Sequence, residues 1–295
     1  MMKKPFFSII IPTYNRSDRL AECLKALVRL NYPRDSFEVI VVDDGSEVVP
    51  DNIWEAVQYD IQIKLITQTN AGPAAARNSG ALKAKGDFLV FTDDDCRPQS
   101  NWLSVVAEHF NNNPDTGIGG KMINALPENL YSTASQLLID YLQSYYNRVP
   151  SDATFLTTSN LAVAKNAFFD ANGFDTTFPL AAGEDREFCA RWRRQGRNLD
   201  YIPEAIVLHA HELSFRSFIR QHFNYGQGAY YYHKIQAEAA GQSIHVEPVS
   251  FYWRLLRYPW YKKVQSGRFW ISALMALSQV ANAIGFFYTM ASRRN

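Results

Sequence analysis

The chain has 295 residues, 47% of them hydrophobic and 20% charged, with a formal net charge of +1. That length buries a substantial core, and so much apolar content excludes disorder over the whole chain. A mean hydropathy of -0.25 excludes a protein built of many membrane spans.

In chain order, the first element is a strand over Phe6 to Ile11. The stretch from Met1 to Tyr14 superficially resembles a secretory signal, but its apolar run is short, ends at Pro12 and lacks a small-residue cleavage site. Further strands are expected at Glu38 to Val42, Ile61 to Thr67 and Phe88 to Phe91. Each is a nearly continuous apolar run, as expected of parallel strands covered on both faces. Helical patterns lie between them at Asp18 to Leu30, Ile53 to Tyr59 and Ala74 to Lys83. This alternation predicts an α/β layered domain with right-handed crossovers. Ligands in such sheets bind beyond the carboxyl ends of the strands, so those positions are where chemistry is expected.

They are polar. Pro12-Thr13-Tyr14-Asn15 follows the first strand, Asp43-Asp44-Gly45-Ser46 the second and Thr92-Asp93-Asp94-Asp95 the fourth. A single Asp after a strand is commonly a cap or turn residue. Three adjacent carboxylates repel one another and call for a divalent cation or a solvated surface. No G-x-G-x-x-G follows the first strand and no P-loop pattern occurs, so phosphates would be held through a metal. Cys23, Cys96 and Cys189 are odd in number and widely spaced, which argues against a disulfide framework or zinc site and fits a reducing cytosol.

Taken in order, these segments resemble glycosyltransferase family 2, the inverting nucleotide-sugar transferases of the GT-A fold. The resemblance continues through Ala76-Arg77-Asn78-Ser79-Gly80, Ser159-Asn160-Leu161-Ala162, Gly173-Phe174-Asp175, Gly183-Glu184-Asp185 and His209, covering roughly residues 5 to 212. It implies a Rossmann-like, mostly parallel central sheet with helices on both faces. By the same resemblance Pro12, Tyr14 and Asp44 would line the nucleoside pocket, a carboxylate there accepting a hydrogen bond from a uracil-type imide. Arg77 would face the diphosphate or form a salt bridge, and Asp43 would cap its turn or touch the ligand. Asp93 and Asp95 would be the outer members of a D-x-D pattern, Asp93 on the ribose or sugar and Asp95 on Mn2+ or Mg2+. Asp94 would support them. His209 would be a further metal ligand or a structural histidine.

Glu184 and Asp185 open a helical pattern running from Arg186 to Gln195, where acidic residues favour the helix N-terminus. The resemblance makes Asp185 the base that takes the acceptor proton. Asn160 and Glu184 would lie on the acceptor side. Arg191-Trp192 matches part of the Q-x-x-R-W motif of processive synthases, but Phe188 stands at the Gln position and weakens that link.

Residues 213–295 hold ten Lys or Arg against Glu238 and Glu247, a surplus of eight, which leaves -7 on residues 1–212 given the total of +1. The chain is accordingly divided into a GT-A catalytic domain at 1–212 and a C-terminal helical extension at 213–295. Trp253 to Lys263 mixes aromatics with cations, a composition suited to a helix in the interface of an anionic membrane. No nucleic-acid motif is found, so nucleic acid is not expected as a partner. Phe269 to Met290 is free of charge and long enough to cross a bilayer, yet carries Ser272, Ser278, Gln279, Asn282 and Thr289. A span, an in-plane helix and a helix packed on the catalytic domain are all compatible with it.

The expectation is a metal-dependent inverting glycosyltransferase at the cytoplasmic side of the plasma membrane. It would use a nucleoside-diphosphate sugar, with UDP favoured, and a glycan or lipid-linked acceptor. The alternatives are a sugar-nucleotide nucleotidyltransferase, which would need a basic Gly-rich phosphate loop, and a non-catalytic nucleotide-sugar-binding membrane protein.

Overall fold

The apolar runs form the middle of an eight-stranded sheet in a computed structural model that describes residues 4–48, 60–178, 180, 182–240, 247–262, 264 and 267–293. The strands are β1 (Phe7–Thr13), β2 (Phe37–Asp43), β3 (Ile63–Thr67), β4 (Phe88–Phe91), β5 (Cys96–Pro98), β6 (Gly117–Asn124), β7 (Leu161–Ala164) and β8 (Leu199–His209). Their order across the sheet is β3-β2-β1-β4-β7-β6-β8-β5. The first four strands run parallel, as their apolar runs predict, and β1 and β2 are buried along their whole length. β3 lies at the edge and is only partly buried. The second half is mixed: β7 runs antiparallel to β4 and β6, β8 runs parallel to β6, and β5 runs antiparallel to β8.

The helices are α1 (Ser17–Val28), α2 (Pro73–Lys83), α3 (Trp102–Asn112), α4 (Leu130–Tyr146), α5 (Lys165–Asp170), α6 (Glu184–Arg194), α7 (Phe215–Ala240), α8 (Val249–Tyr261) and α9 (Arg268–Ser292). The helix expected at residues 53–59 lies outside the described residues. Because successive strand residues point to opposite faces, Ile9 and Ile11 pack against Leu24, Trp102 and Phe110 of α1 and α3. Ile10 packs on the other face with Ala76, Phe168, Phe188 and Trp192 of α2, α5 and α6.

A third apolar cluster joins the C-terminal helices to α4, with Leu138, Tyr141, Phe218, Leu255, Ile271 and Met275 in contact. The extension therefore shares its core with a helix of the first 212 residues. Its packing depends on glycines that let backbones touch. A Cβ on Gly226 of α7 would lie 1.9 Å from the Asn282 carbonyl oxygen of α9, and one on Gly285 would lie 2.0 Å from that of Phe223. Two residues on, toward the opposite side of α7, a Cβ on Gly228 would lie 2.0 Å from the Ala182 carbonyl oxygen, so α7 rests directly on the loop that begins α6.

Candidate active site

The carboxyl ends of β1, β2 and β4 converge, as parallel neighbours must, and their loops are stitched together by polar contacts. The backbone N–H of Asn15 donates to Ser46 Oγ at 2.8 Å, and the Asn15 side chain accepts from Glu47 N–H at 2.9 Å. Asn15 adopts a left-handed φ of 53°, a conformation Asn tolerates better than most residues. An open cleft of about 340 Å³ lies here, lined by Thr13, Asn15, Arg16, Ser46 and Glu47. Tyr14 stands exposed beside it, whereas Pro12 is buried within β1.

The two carboxylates after β2 face inward. Asp43 caps its own turn, accepting from Ser46 N–H at 3.2 Å and from the Ser46 hydroxyl. Asp44 accepts from Gln68 Nε2 at 2.7 Å, Ala71 N–H at 2.9 Å and Gly72 N–H at 2.8 Å. Both of its oxygens thereby hold the loop that leads into α2.

The three carboxylates after β4 have three different environments. Asp93 is half-buried, with one oxygen on Arg77 at 2.7 Å and the other accepting from the Ser159 hydroxyl at 2.6 Å. Asp94 is buried, accepts from the Thr13 hydroxyl at 2.8 Å and lies 3.3 Å from Arg16. Burial pushes its carboxyl up to about 6 against the pull of Arg16, with Asp95 adding repulsion. Asp95 lies 3.3 Å from His209 Nε2, 3.6 Å from Arg19 and 3.7 Å from Arg16. Burial opposes its charge, but the adjacent imidazole holds it well below the usual carboxylate range. The same contact raises His209 although burial works the other way. His211, with its ring 5.0 Å from that of His209, is instead driven down to about 4 by burial and by its neighbour's charge.

Sheet register explains why Asp95 meets His209. Cys96 of β5 pairs with His209 of β8, and Ala210 N–H donates to the Asp95 carbonyl oxygen at 2.8 Å. Asp95, Cys96 and His209 together have metal-ligand spacing, their ligand atoms lying within 4.8 Å of one another. Cys96 is fully buried and burial pushes its thiol far up. The donors suited to a hard cation are the Asp95 carboxylate and the His209 imidazole. That set would fit a hard or borderline cation.

Of the two roles expected for Arg77, the salt bridge is the one observed. Arg77 is 3% exposed and bridges Asp93 to Glu184, whose carboxylate lies 3.1 Å from its second guanidinium nitrogen. The planar fork of Arg suits this double contact, and its face lies 5.8 Å from the Phe174 ring centre. Glu184 is consequently an interior group, 3% exposed, rather than an acceptor-side one. Burial, then repulsion from Asp185, lifts its carboxyl to about 7 despite Arg77. Asn160 is also withdrawn from the acceptor side. Its side chain accepts from Trp102 Nε1 at 2.9 Å and donates to the Ala205 carbonyl oxygen at 2.8 Å, joining α3 and β8 to the turn before β7. Asp185 differs from both: it is only half-buried and accepts from Arg186 N–H at 2.7 Å. Burial raises its carboxyl.

Thr13, Arg16, Arg19 and Ser159 belong to this constellation and were not singled out from the sequence. The signal for the two arginines was there, since they lie one turn apart on the helix that follows the first strand. α7 adds Gln221 and Tyr225, joined by a 2.7 Å hydrogen bond from Gln221 Nε2. Tyr225 lies in the field of Asp185, Glu184 and Asp95, which adds to burial in keeping its phenol protonated.

A mixed sheet with carboxylates after β4 facing a histidine at the end of β8 is the arrangement of a GT-A glycosyltransferase. The sequence profile of glycosyl transferase family 2 matches residues 8–170, and the chain belongs to that family. Glycosyltransferase AglE of Haloferax volcanii is 28% identical over 226 residues, covering 76% of this chain and 73% of its own. A pre-mycofactocin glycosyltransferase of Mycobacterium tuberculosis is 30% identical over 228 residues, covering 75% of this chain but only 46% of that enzyme. Among solved structures, the Pyrobaculum calidifontis mannosyltransferase PcManGT, in complex with GDP-Man and Mn2+, superposes with a TM-score of 0.63 at 20% identity. That match covers 96% of this chain and 76% of the other. S. aureus TarS 1-349 in complex with UDP-GlcNAc gives 0.56 at 17% identity, covering 98% and 91%. The protein is a glycosyltransferase, which selects that reading over the nucleotidyltransferase.

Proposed function

We propose that the chain catalyses metal-dependent, inverting transfer of a sugar from a nucleoside diphosphate to a hydroxyl acceptor, with Asp185 as base. The observation that carries this reading is the Asp93–Arg77–Glu184 chain of buried ion pairs, at 2.7 and 3.1 Å. It ties the donor-side carboxylate to the start of α6, where Asp185 is the next residue and only half-buried. The acceptor oxygen attacks the anomeric carbon as its proton passes to Asp185. The bond from that carbon to the diphosphate breaks on the opposite face, and the nucleoside diphosphate leaves with the electron pair. Asp93 orients the ribose or sugar, while Tyr14 and Pro12 border the nucleoside and Asp44 keeps its pocket in shape. Asp95 and His209 would hold Mn2+ or Mg2+, which when bound neutralises charge on the departing diphosphate.

Complexes of the structural relatives with GDP-Man and UDP-GlcNAc support a nucleotide-sugar donor. Support for a glycan or lipid-linked acceptor at the cytoplasmic membrane face comes from residues 248–295, which hold seven Lys or Arg and no Asp or Glu. Asp185→Asn tests the base: transfer should fall by about two to four orders of magnitude with the donor still bound. Transfer at the wild-type rate would remove Asp185 from that role.

A further inference from the structure

α9 is amphipathic the wrong way round for a helix of a water-soluble protein. Its polar side chains turn toward the protein: the Ser272 hydroxyl donates to the Leu256 carbonyl oxygen at 2.8 Å, and Ser278 and Thr289 are buried. The face left outward is apolar, with Phe269, Trp270, Val280, Ile284, Phe287 and Tyr288 all more than half exposed. α8 continues this surface with outward Trp253, Trp260 and Tyr261, and Arg257 stacks 6.0 and 5.8 Å from the rings of Trp253 and Tyr261. Residues 248–295 contain seven Lys or Arg and no Asp or Glu. Arg254, Arg257, Lys262 and Arg268 are exposed, and none takes part in an ion pair among the described residues.

By length and composition α9 could also cross a bilayer. The packing argues against that. Gly226 and Gly285 bring the backbones of α7 and α9 into direct contact, so a crossing α9 must either leave α7 or take it along. α7 carries Arg216, Arg220, Lys234 and Glu238, and charged groups at the bilayer centre are costly.

We propose that α8 and the outward face of α9 form one docking surface that lies flat in the interface of an anionic lipid bilayer. The apolar side chains enter the acyl boundary, the Trp and Tyr rings sit at headgroup level, and the arginines meet lipid phosphates. This deepens the membrane-side reading above and rests on it, replacing three possible placements by one.

The test uses the full chain with phosphatidylcholine vesicles, with and without phosphatidylglycerol, at low and high salt. Flotation should recover the protein with the anionic vesicles at low salt. Arg254→Gln and Arg257→Gln should each weaken partitioning about fivefold, and the pair Ile284→Glu and Phe287→Glu should weaken it at least tenfold. All four side chains are exposed, so the melting temperature reports that the fold is kept. Placement is read from a fluorophore at Ala273→Cys, Val280→Cys or Ala291→Cys, since the native cysteines are all buried. Lipids carrying quenchers at two depths should give one shallow depth for all three labels. A deep label at 280 with shallow labels at 273 and 291 means a span and overturns the proposal. Labels already shielded in a lipid-free dimer assign the face to a second copy and also overturn it. Binding is measured without donor or acceptor, so an inactive enzyme leaves the readout intact. Lost binding with sugar transfer retained removes the docking surface alone.

Discussion

Arg77 shows how one buried side chain can tie two parts of a site together. It is buried, its charge is balanced by Asp93 on one side and Glu184 on the other, and both partners lose their counter-ion if it is removed. Removing one member of a buried ion pair leaves an uncompensated charge, so Arg77→Met should destabilise the fold by about 3–5 kcal/mol in urea unfolding. Arg77→Lys should recover only part of this, because an ammonium cannot reproduce the two-armed contact. His222 supplies a second prediction. It is fully buried between Phe218 and Tyr225, with no hydrogen-bond partner on either ring nitrogen among the described residues, and burial holds it down to about 3 with His211 adding a smaller effect. A value below the ordinary 6.5 means that the unfolded chain binds the extra proton. Stability from this group is therefore complete above about pH 6.5 and is lost as pH falls toward 3, on the order of 1.4 kcal/mol per unit. His222→Leu should flatten that acid limb in unfolding measured from pH 7 to 4, and an unchanged limb would assign it to other groups.

Among the elements, the α7–α9 crossing carries the clearest prediction. Alanine in place of glycine favours an isolated helix by about 1 kcal/mol. At Gly285 a new methyl would meet the Phe223 carbonyl oxygen at 2.0 Å, and neither backbone is free to move. Overpacking costs of about 1–3 kcal/mol outweigh the propensity gain, so Gly285→Ala should lower the melting temperature by several degrees. A rise would mean that α7 and α9 are not in backbone contact. At this scale the sequence was informative where one element decides its own state. The four parallel strands and three of the helices lie within two residues of their expected ends, because continuous apolar runs and 3.6-residue periodicity are local properties. The antiparallel insertion of β7 and the pairing of β5 with β8 were not legible, since both depend on partners far along the chain.

For the whole molecule, the opposite charges of the two regions acquire separate tasks in the proposed reading. The acidic first 212 residues include the carboxylates that would hold a metal and take a proton, and the basic remainder faces lipid. Chelation tests the first half. EDTA should abolish transfer and Mn2+ should restore it, and full activity without added metal would remove that role from Asp95 and His209. The donor is open to a thermal-shift screen of UDP-, GDP- and dTDP-sugars with Mn2+. A ligand that binds only the folded state raises the melting temperature, by about 2.7 kcal/mol of stabilisation at a hundredfold excess over its Kd.

The sequence alone determined the α/β architecture, the family and the list of groups capable of the chemistry, because these follow from local patterning and the order of short motifs. Tertiary structure decided which of those groups work together. Asp95 meets His209 through the β5–β8 register, whereas Asn160 and Glu184 turn into the interior and Arg77 becomes a buried bridge. The polar stripe of α9, ambiguous on a helical wheel, faces the protein and leaves the apolar stripe outward. A motif records which side chains are present. Burial and pairing, which set their charge and reach, are decided only when distant segments pack.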